Sequence, residues 1–191
     1  MGINPKFFRT FEKVNANQMK IIAETSRLIL RDIELHDAID LLEMDLDERV
    51  TKYTGQNPIG TIQEANDVVQ FILNQYAKNG VGRWAVIEKQ NGDFLGWTGL
   101  KFHTEMENNH IDFYDLGYRF KFKHWNKGYA TEASLACLKI GFEQLKLQEI
   151  IAMVHPNNLA SMSVAEKCGF KFIETFSSEN SEWNWLRKIN S

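Results

Sequence analysis

The chain is poor in cysteine, in proline and in excess positive charge, and each shortage removes a class of protein. Two cysteines, Cys137 and Cys168, are too few for a disulfide framework or a cysteine-built zinc site. A reducing, cytoplasmic setting is expected. Only 3 prolines occur in 191 residues, and no Pro/Gly/Ser-rich linker, repeat or low-complexity tract divides the sequence. Lys plus Arg number 22 against 25 Asp plus Glu, a net charge of −3. That argues against a duplex-DNA binder, which needs a concentrated basic face, and leaves room for a cationic substrate such as an amine. No stretch reaches the roughly 18 consecutive apolar residues of a membrane helix. Residues 1–9 lack the continuous apolar core of a signal peptide. Neither nucleic acid nor membrane is an expected partner.

What is present is globular: 43% hydrophobic and 25% charged residues exclude wholesale disorder. Residues 1–23 read as an extension, either a lead-in or a piece that packs on the domain or a partner. Residues 24–191 read as a single domain, monomer or homodimer. Leu28-Ile29-Leu30 before Arg31-Asp32 predicts a first strand. Leu35, Ala38, Ile39, Leu42 and Leu46 recur at helical spacing. Thr61-Ile62-Gln63-Glu64 has capping-box spacing and opens a second helix with the stripe Ile62, Ala65, Val68, Val69, Ile72 and Tyr76. Residues 84–89 and 94–100 flank Asn91-Gly92, a hairpin signal.

The stretch from His110 to Lys123 predicts a fourth strand whose apolar alternation changes phase between Phe113 and Tyr114. Such a slip indicates either a β-bulge or a twisted strand with aromatics on both faces. Trp125-Asn126-Lys127-Gly128-Tyr129-Ala130-Thr131-Glu132-Ala133 then runs into a helix ending near Leu145. Glu149 to Val154 is a fifth, buried strand. A short helix closes at Cys168-Gly169-Phe170 in a left-handed cap, and two strands follow. The order, β-α-α-β-β-β-α-β-α-β-β, predicts an α/β domain with a mixed sheet.

A strand feeding Lys127-Gly128-Tyr129-Ala130 into a helix start suits anion binding. Helix amino-terminal N–H groups are unpaired, and Gly128 and Ala130 let an anion approach the backbone. The nucleotide-triphosphate P-loop and the dinucleotide fingerprint Gly-x-Gly-x-x-Gly are both missing. The loop resembles the signature Gln/Arg-x-x-Gly-x-Gly/Ala of the GNAT family of acetyl-CoA-dependent acyltransferases, matched at Gly128 and Ala130. The run from Trp125 to Ala133 resembles the RimJ/RimL subgroup, which includes enzymes that acetylate amino termini of ribosomal proteins. A second signature is matched at Asn158, Ser161, Glu166, Lys167, Gly169 and Phe170, and Arg27-Leu28-Ile29-Leu30-Arg31 resembles the subgroup's opening strand. The resemblance covers roughly residues 24–187 in order.

The resemblance implies a GNAT fold: a mixed, mostly antiparallel sheet splayed between the fourth and fifth predicted strands and flanked by helices. It implies acetyl-CoA as cofactor, with its pyrophosphate on Trp125, Asn126, Lys127, Gly128, Tyr129, Ala130 and Thr131. Its pantetheine arm would pair with the backbone of Tyr118, Arg119 and Phe120, and Asn158 would contact a pantetheine amide as well as cap its helix. The implied reaction is direct attack of a primary amine on the thioester. The acceptor is a protein α-amino group, or alternatively a small amine such as a polyamine, amino sugar or antibiotic; the rival is a noncatalytic acyl-CoA-binding module. Two departures stand out. Trp125 replaces the signature Gln/Arg, so that side chain offers no cation, and Ala165 stands where many members carry a tyrosine general acid.

Ser161 is a candidate substitute acid. Asp115 is a candidate base if burial raises its pKa, and otherwise a strand carboxylate paired with Arg or Lys. His155 is a second candidate base by its ordinary pKa of about 6.5, or else a hydrogen-bonded loop residue. Tyr53, Trp84 and Trp97 are candidate walls of the substrate cavity, or core. Glu132 reads as a stabiliser of its helix start, the cysteines as packing residues, and no metal site is expected.

Overall fold

The computed structural model describes residues 20–55, 57–178 and 181–190. Strands β1 (Ile21–Glu24), β2 (Leu28–Arg31), β3 (Arg83–Glu88), β4 (Phe94–His103), β5 (Phe113–Phe120), β6 (Glu149–Val154), β7 (Lys171–Ser178) and β8 (Ser181–Ile189) form one sheet. Their spatial order is β1-β2-β3-β4-β5-β6-β8-β7. Every neighbouring pair is antiparallel except β5–β6. The mixed, mostly antiparallel sheet is as expected. The sheet begins at Ile21, inside the segment read as the extension, because Ile21–Glu24 pairs with β2; residues 1–19 lie outside the described residues.

Helices α1 (Ala38–Asp45), α2 (Glu48–Thr51) and α3 (Ile62–Asn79) cover one face, and α4 (Tyr129–Lys139) and α5 (Leu159–Lys167) the other. The Thr61/Glu64 capping box opens α3 as predicted, and Ala65, Val69 and Ile72 face the core. On α1 the predicted stripe holds in part: Ala38 and Leu42 turn to the core and its other members do not. Leu35, Ile39 and Leu46 are 61%, 69% and 62% exposed, while Ala38, Leu41 and Met44 are buried. Two buried ion pairs hold the ends of the helix. Asp37 accepts both Arg31 terminal nitrogens at 2.6 and 2.7 Å, and Asp45 accepts from Arg119 at 2.7 and 2.8 Å. Hydrogen-bonded carboxylates at both ends, with Ala38, Leu41 and Met44 between them, set the inward face of the helix.

The phase change at 113–114 produces no bulge against β4. Pairing runs unbroken from His103↔Phe113 to Gly96↔Phe120. The strand carries apolar residues on both faces because helices cover both. Phe113, Asp115, Gly117 and Arg119 therefore project toward α1–α3, and Leu116, Tyr118 and Phe120 toward α4. Cys137 and Cys168 are buried, and burial pushes their thiols up to about 12 and about 11. Both are packing residues, as expected.

The parallel pair is the shortest. β5 and β6 meet at Asp115↔Ile151 alone, and beyond that point the strands part. The splay falls where the resemblance implied it.

Candidate active site

The gap between β5 and β6 exposes strand backbone. Lys121 N donates to Leu95 O at 2.9 Å, which fixes the antiparallel alternation. Arg119, Gly117 and Asp115 turn their peptide groups to β4, and Tyr118 and Phe120 turn theirs to the gap. Of the three residues expected to meet a pantetheine, Arg119 is therefore committed elsewhere. Its backbone pairs with Trp97 and its side chain with Asp45. Phe120 O accepts the Trp125 indole N–H at 2.8 Å, so the residue standing in for the signature Gln/Arg closes the wide end of the strand.

Trp125, Asn126, Lys127 and Gly128 form an exposed loop there, with left-handed Asn126 (φ 59°) and Gly128 (φ 79°). Glu132 N–H is the first in α4 with a helical partner, Gly128 O at 3.1 Å. The N–H groups of Tyr129, Ala130 and Thr131 are left open at the positive end of the helix. A Cβ at Gly128 would meet only Arg27 Nη2, at 3.5 Å, so the loop leaves room for an anion against its backbone. Open amides, free strand edge and clear space together fit a pyrophosphate carrying an extended amide arm. The Tyr129 side chain is buried, so only its backbone takes part.

Across the gap, Asn158 Oδ1 caps α5 by accepting Ser161 N–H at 3.1 Å, as expected of a cap. Tyr118 Oη–H donates to Ser161 Oγ at 3.0 Å, and burial pushes the tyrosine up to about 12. Ala165 is buried in the core.

Both candidate bases take the second of the readings the sequence left open, a paired strand carboxylate and a hydrogen-bonded loop histidine. Asp115 does not have a raised pKa. Burial alone would raise it, but Arg83 outweighs that and holds the carboxyl at about 2. Arg83 Nη2 binds the Asp115 carboxylate, and Nη1 reaches Gly99 O at 2.6 Å and Asp115 O at 3.0 Å. His103 Nε2 stands 3.7 Å from the same carboxylate, an electrostatic contact too long for a hydrogen bond. A carboxylate so caged is a weak base. His155 accepts Asn157 N–H on Nδ1 at 3.1 Å. In the neutral ring the proton then sits on Nε2, which has no lone pair left to take another.

The structure does bring His155 to Tyr53, with ring centroids 5.1 Å apart, and to Trp183, 6.0 Å away. Trp97 lies on the same face between two guanidiniums, 5.3 Å from Arg83 and 5.5 Å from Arg119. Trp84 is not a cavity wall: alternation along β3 sends it to the α4 side, where it is 2% exposed within the core. Sequence reasoning missed Arg83 and Trp183, since no motif marks either. Among the described residues no group of three or more potential ligands could hold a metal ion, and no helix is long and apolar enough to cross a membrane.

Residues 27–171 match the acetyltransferase (GNAT) domain family. An uncharacterized N-acetyltransferase of Bacillus licheniformis, p20, is 33% identical over 147 residues, 77% of this chain and 80% of that protein. A GNAT-family acetyltransferase structure from Bacillus anthracis is 30% identical, covers 91% of this chain and 99% of its own, and superposes with a TM-score of 0.71. RimL, a ribosomal-protein α-N acetyltransferase solved with coenzyme A, is 14% identical over 89% of this chain and 98% of its own. Its TM-score of 0.71 is a likeness of fold.

Proposed function

Because the chain belongs to the GNAT acetyltransferase family, we propose that it transfers an acetyl group from acetyl-CoA to a primary amine, with a protein α-amino group as acceptor. The observation that carries the reading is the single β5–β6 backbone pairing at Asp115↔Ile151, with the open α4 amides at the wide end of the gap. Trp125 to Ala133, similar to the RimJ/RimL run, supports the choice of acceptor.

Acetyl-CoA supplies the thioester, and the protein's residues orient it. The loop 125–131 holds the pyrophosphate. The Tyr118 backbone groups and the Phe120 N–H pair with the arm, and an N–H on the open edge of β5 faces the thioester oxygen. The amine enters from the α1–α3 face, past Tyr53, His155 and Trp183. It loses its proton to water, since Asp115 is caged and His155 Nε2 is protonated. Ser161 gives its proton to the departing sulfur as it takes one from the Tyr118 hydroxyl, and water restores the tyrosine proton.

The test offers acetyl-CoA with a panel of peptides and small amines and measures free CoA. Release with free α-amino peptides, and none with the same peptides blocked at that amine, is the expected result. Release with small amines alone overturns the acceptor. Thermal stabilisation by acetyl-CoA without release for any amine overturns the enzyme and favours a binding module.

A further inference from the structure

The α4 amides are open as at any helix start, and Arg27 holds the loop carbonyl that precedes them. In an unbroken helix Thr131 N–H would bond to Lys127 O. Here Gly128 breaks the helical path at φ 79°, and Lys127 O accepts from Arg27 Nη1 at 3.0 Å. Arg27 sits on the turn between β1 and β2, and it is itself fixed. Its Nε and Nη2 bind the Glu132 carboxylate at 2.7 and 2.6 Å, and its guanidinium stacks on the Tyr129 ring at 4.5 Å. Thr25 Oγ1, Ser26 Oγ and Arg27 N donate to Glu132 Oε1 at 2.6, 3.1 and 3.0 Å. One carboxylate in the first turn of α4 thus ties the β1–β2 turn to the loop.

We infer that Arg27 is a positioning residue for acetyl-CoA: it holds Lys127 O away from the Thr131 amide, fixes the loop against Glu132 at the start of α4, and places beside Gly128 the cation that Trp125 cannot supply. The inference rests on the proposed reading of the loop as the pyrophosphate site. Arg27 acts through the loop, so removing it weakens the hold on the phosphate end of the donor and leaves the reacting end alone. Lysine is a poor substitute, because one ammonium cannot reproduce a fork that bonds a carboxylate and a carbonyl at once.

The test uses the full chain and two donors, acetyl-CoA and S-acetyl-pantetheine, which carries the same thioester without the pyrophosphate. Arg27→Ala is expected to raise KM for acetyl-CoA about tenfold, the loss of a charged hydrogen bond. Saturated kcat stays within about twofold, the pattern of lost uniform binding. With the truncated donor, kcat/KM is expected to match wild type, and Arg27→Lys is expected to resemble Arg27→Ala. Equal losses with both donors mean that Arg27 merely supports the fold, and they overturn the proposal, as does an unchanged KM for acetyl-CoA. Should Arg27→Ala not fold, Arg27→Met, which keeps packing on Tyr129, is read in the same way. Failure of the underlying reading looks different: wild type itself would use both donors equally well.

Discussion

Asp115 and Arg83 form a buried ion pair on the sheet face turned to α1–α3, with the guanidinium also bridging to the carbonyls of Gly99 and Asp115. The pair joins β3 to β5 across β4 immediately beside the point where β5 leaves β6. Its first consequence concerns acid stability. The Asp115 carboxyl, ordinarily at 3.8, is held at about 2 in the fold. A depressed carboxylate contributes stability that is complete above its unfolded pKa and is lost as pH falls through the folded one. Denaturant titrations at pH 7, 4 and 2 should show about 2 kcal/mol disappearing below about pH 4 in wild type. Asp115→Asn is expected to cost about 3–5 kcal/mol at pH 7, because Arg83 is left charged and unpaired, and to flatten that acid limb. An Asp115→Asn protein as stable as wild type at pH 7 would show that the pair contributes nothing.

Gly117 sets the room in which this pair forms. A Cβ there would lie 2.7–2.9 Å from the Arg83 guanidinium atoms, so a methyl group must push the guanidinium off its partners. Gly117→Ala is expected to destabilise by about 1–3 kcal/mol, the usual cost of overpacking, and to return part of the Asp115 pKa toward its ordinary value. Carbonyl-carbon NMR titration of Asp115 reads that directly. A variant with wild-type stability and an unmoved Asp115 titration would mean that Arg83 relaxes freely.

His155 gives a prediction about rate. With Nδ1 bonded to Asn157 N–H and Asp115 caged, the acceptor loses its proton without either. At saturating acetyl-CoA, kcat/KM for the acceptor should rise with pH and level off at the acceptor's own ammonium pKa. Replacing the acceptor by a less basic amine should move the limb down by the difference in amine pKa, and His155→Gln should leave the limb in place. A limb that stays fixed when the amine changes, and disappears in His155→Gln, would restore histidine as the base.

The fold was legible wherever periodicity and punctuation agreed. The Thr61/Glu64 box, the Asn91-Gly92 reversal and the Gly128 loop each appear where the sequence placed them, because each depends on neighbours within a few residues. What stays open or misplaced depends on distant partners. The sequence leaves Asp115 as a base or a paired strand carboxylate because nothing local reveals Arg83, 32 residues earlier in the chain. Leu35, Ile39 and Leu46 of the α1 stripe face outward because Asp37 and Asp45 turn inward to arginines on β2 and β5. Trp84 and Trp97 look alike in sequence, and only the pleat and pairing of their strands separate a core residue from one facing the acceptor side.

Gly128 carries the strongest test of the loop. It is left-handed at φ 79°, and the space above it contains only Arg27 Nη2 at 3.5 Å. Any side chain there is strained, and a carboxylate would occupy the anion's place, repel phosphate and draw Arg27 away from Lys127 O. Gly128→Glu is therefore expected to fold with a cost of about 1–2 kcal/mol and to lose the upward melting shift that acetyl-CoA gives wild type. At a ligand concentration of 100 times the wild-type Kd, that shift corresponds to about 2.7 kcal/mol, large enough for its absence to be plain in a thermal melt. The unliganded melts of the two proteins separate fold from binding: a modest drop without ligand and no rise with it places the donor on this loop. A Gly128→Glu protein that still rises with acetyl-CoA as far as wild type would move the donor elsewhere in the fold.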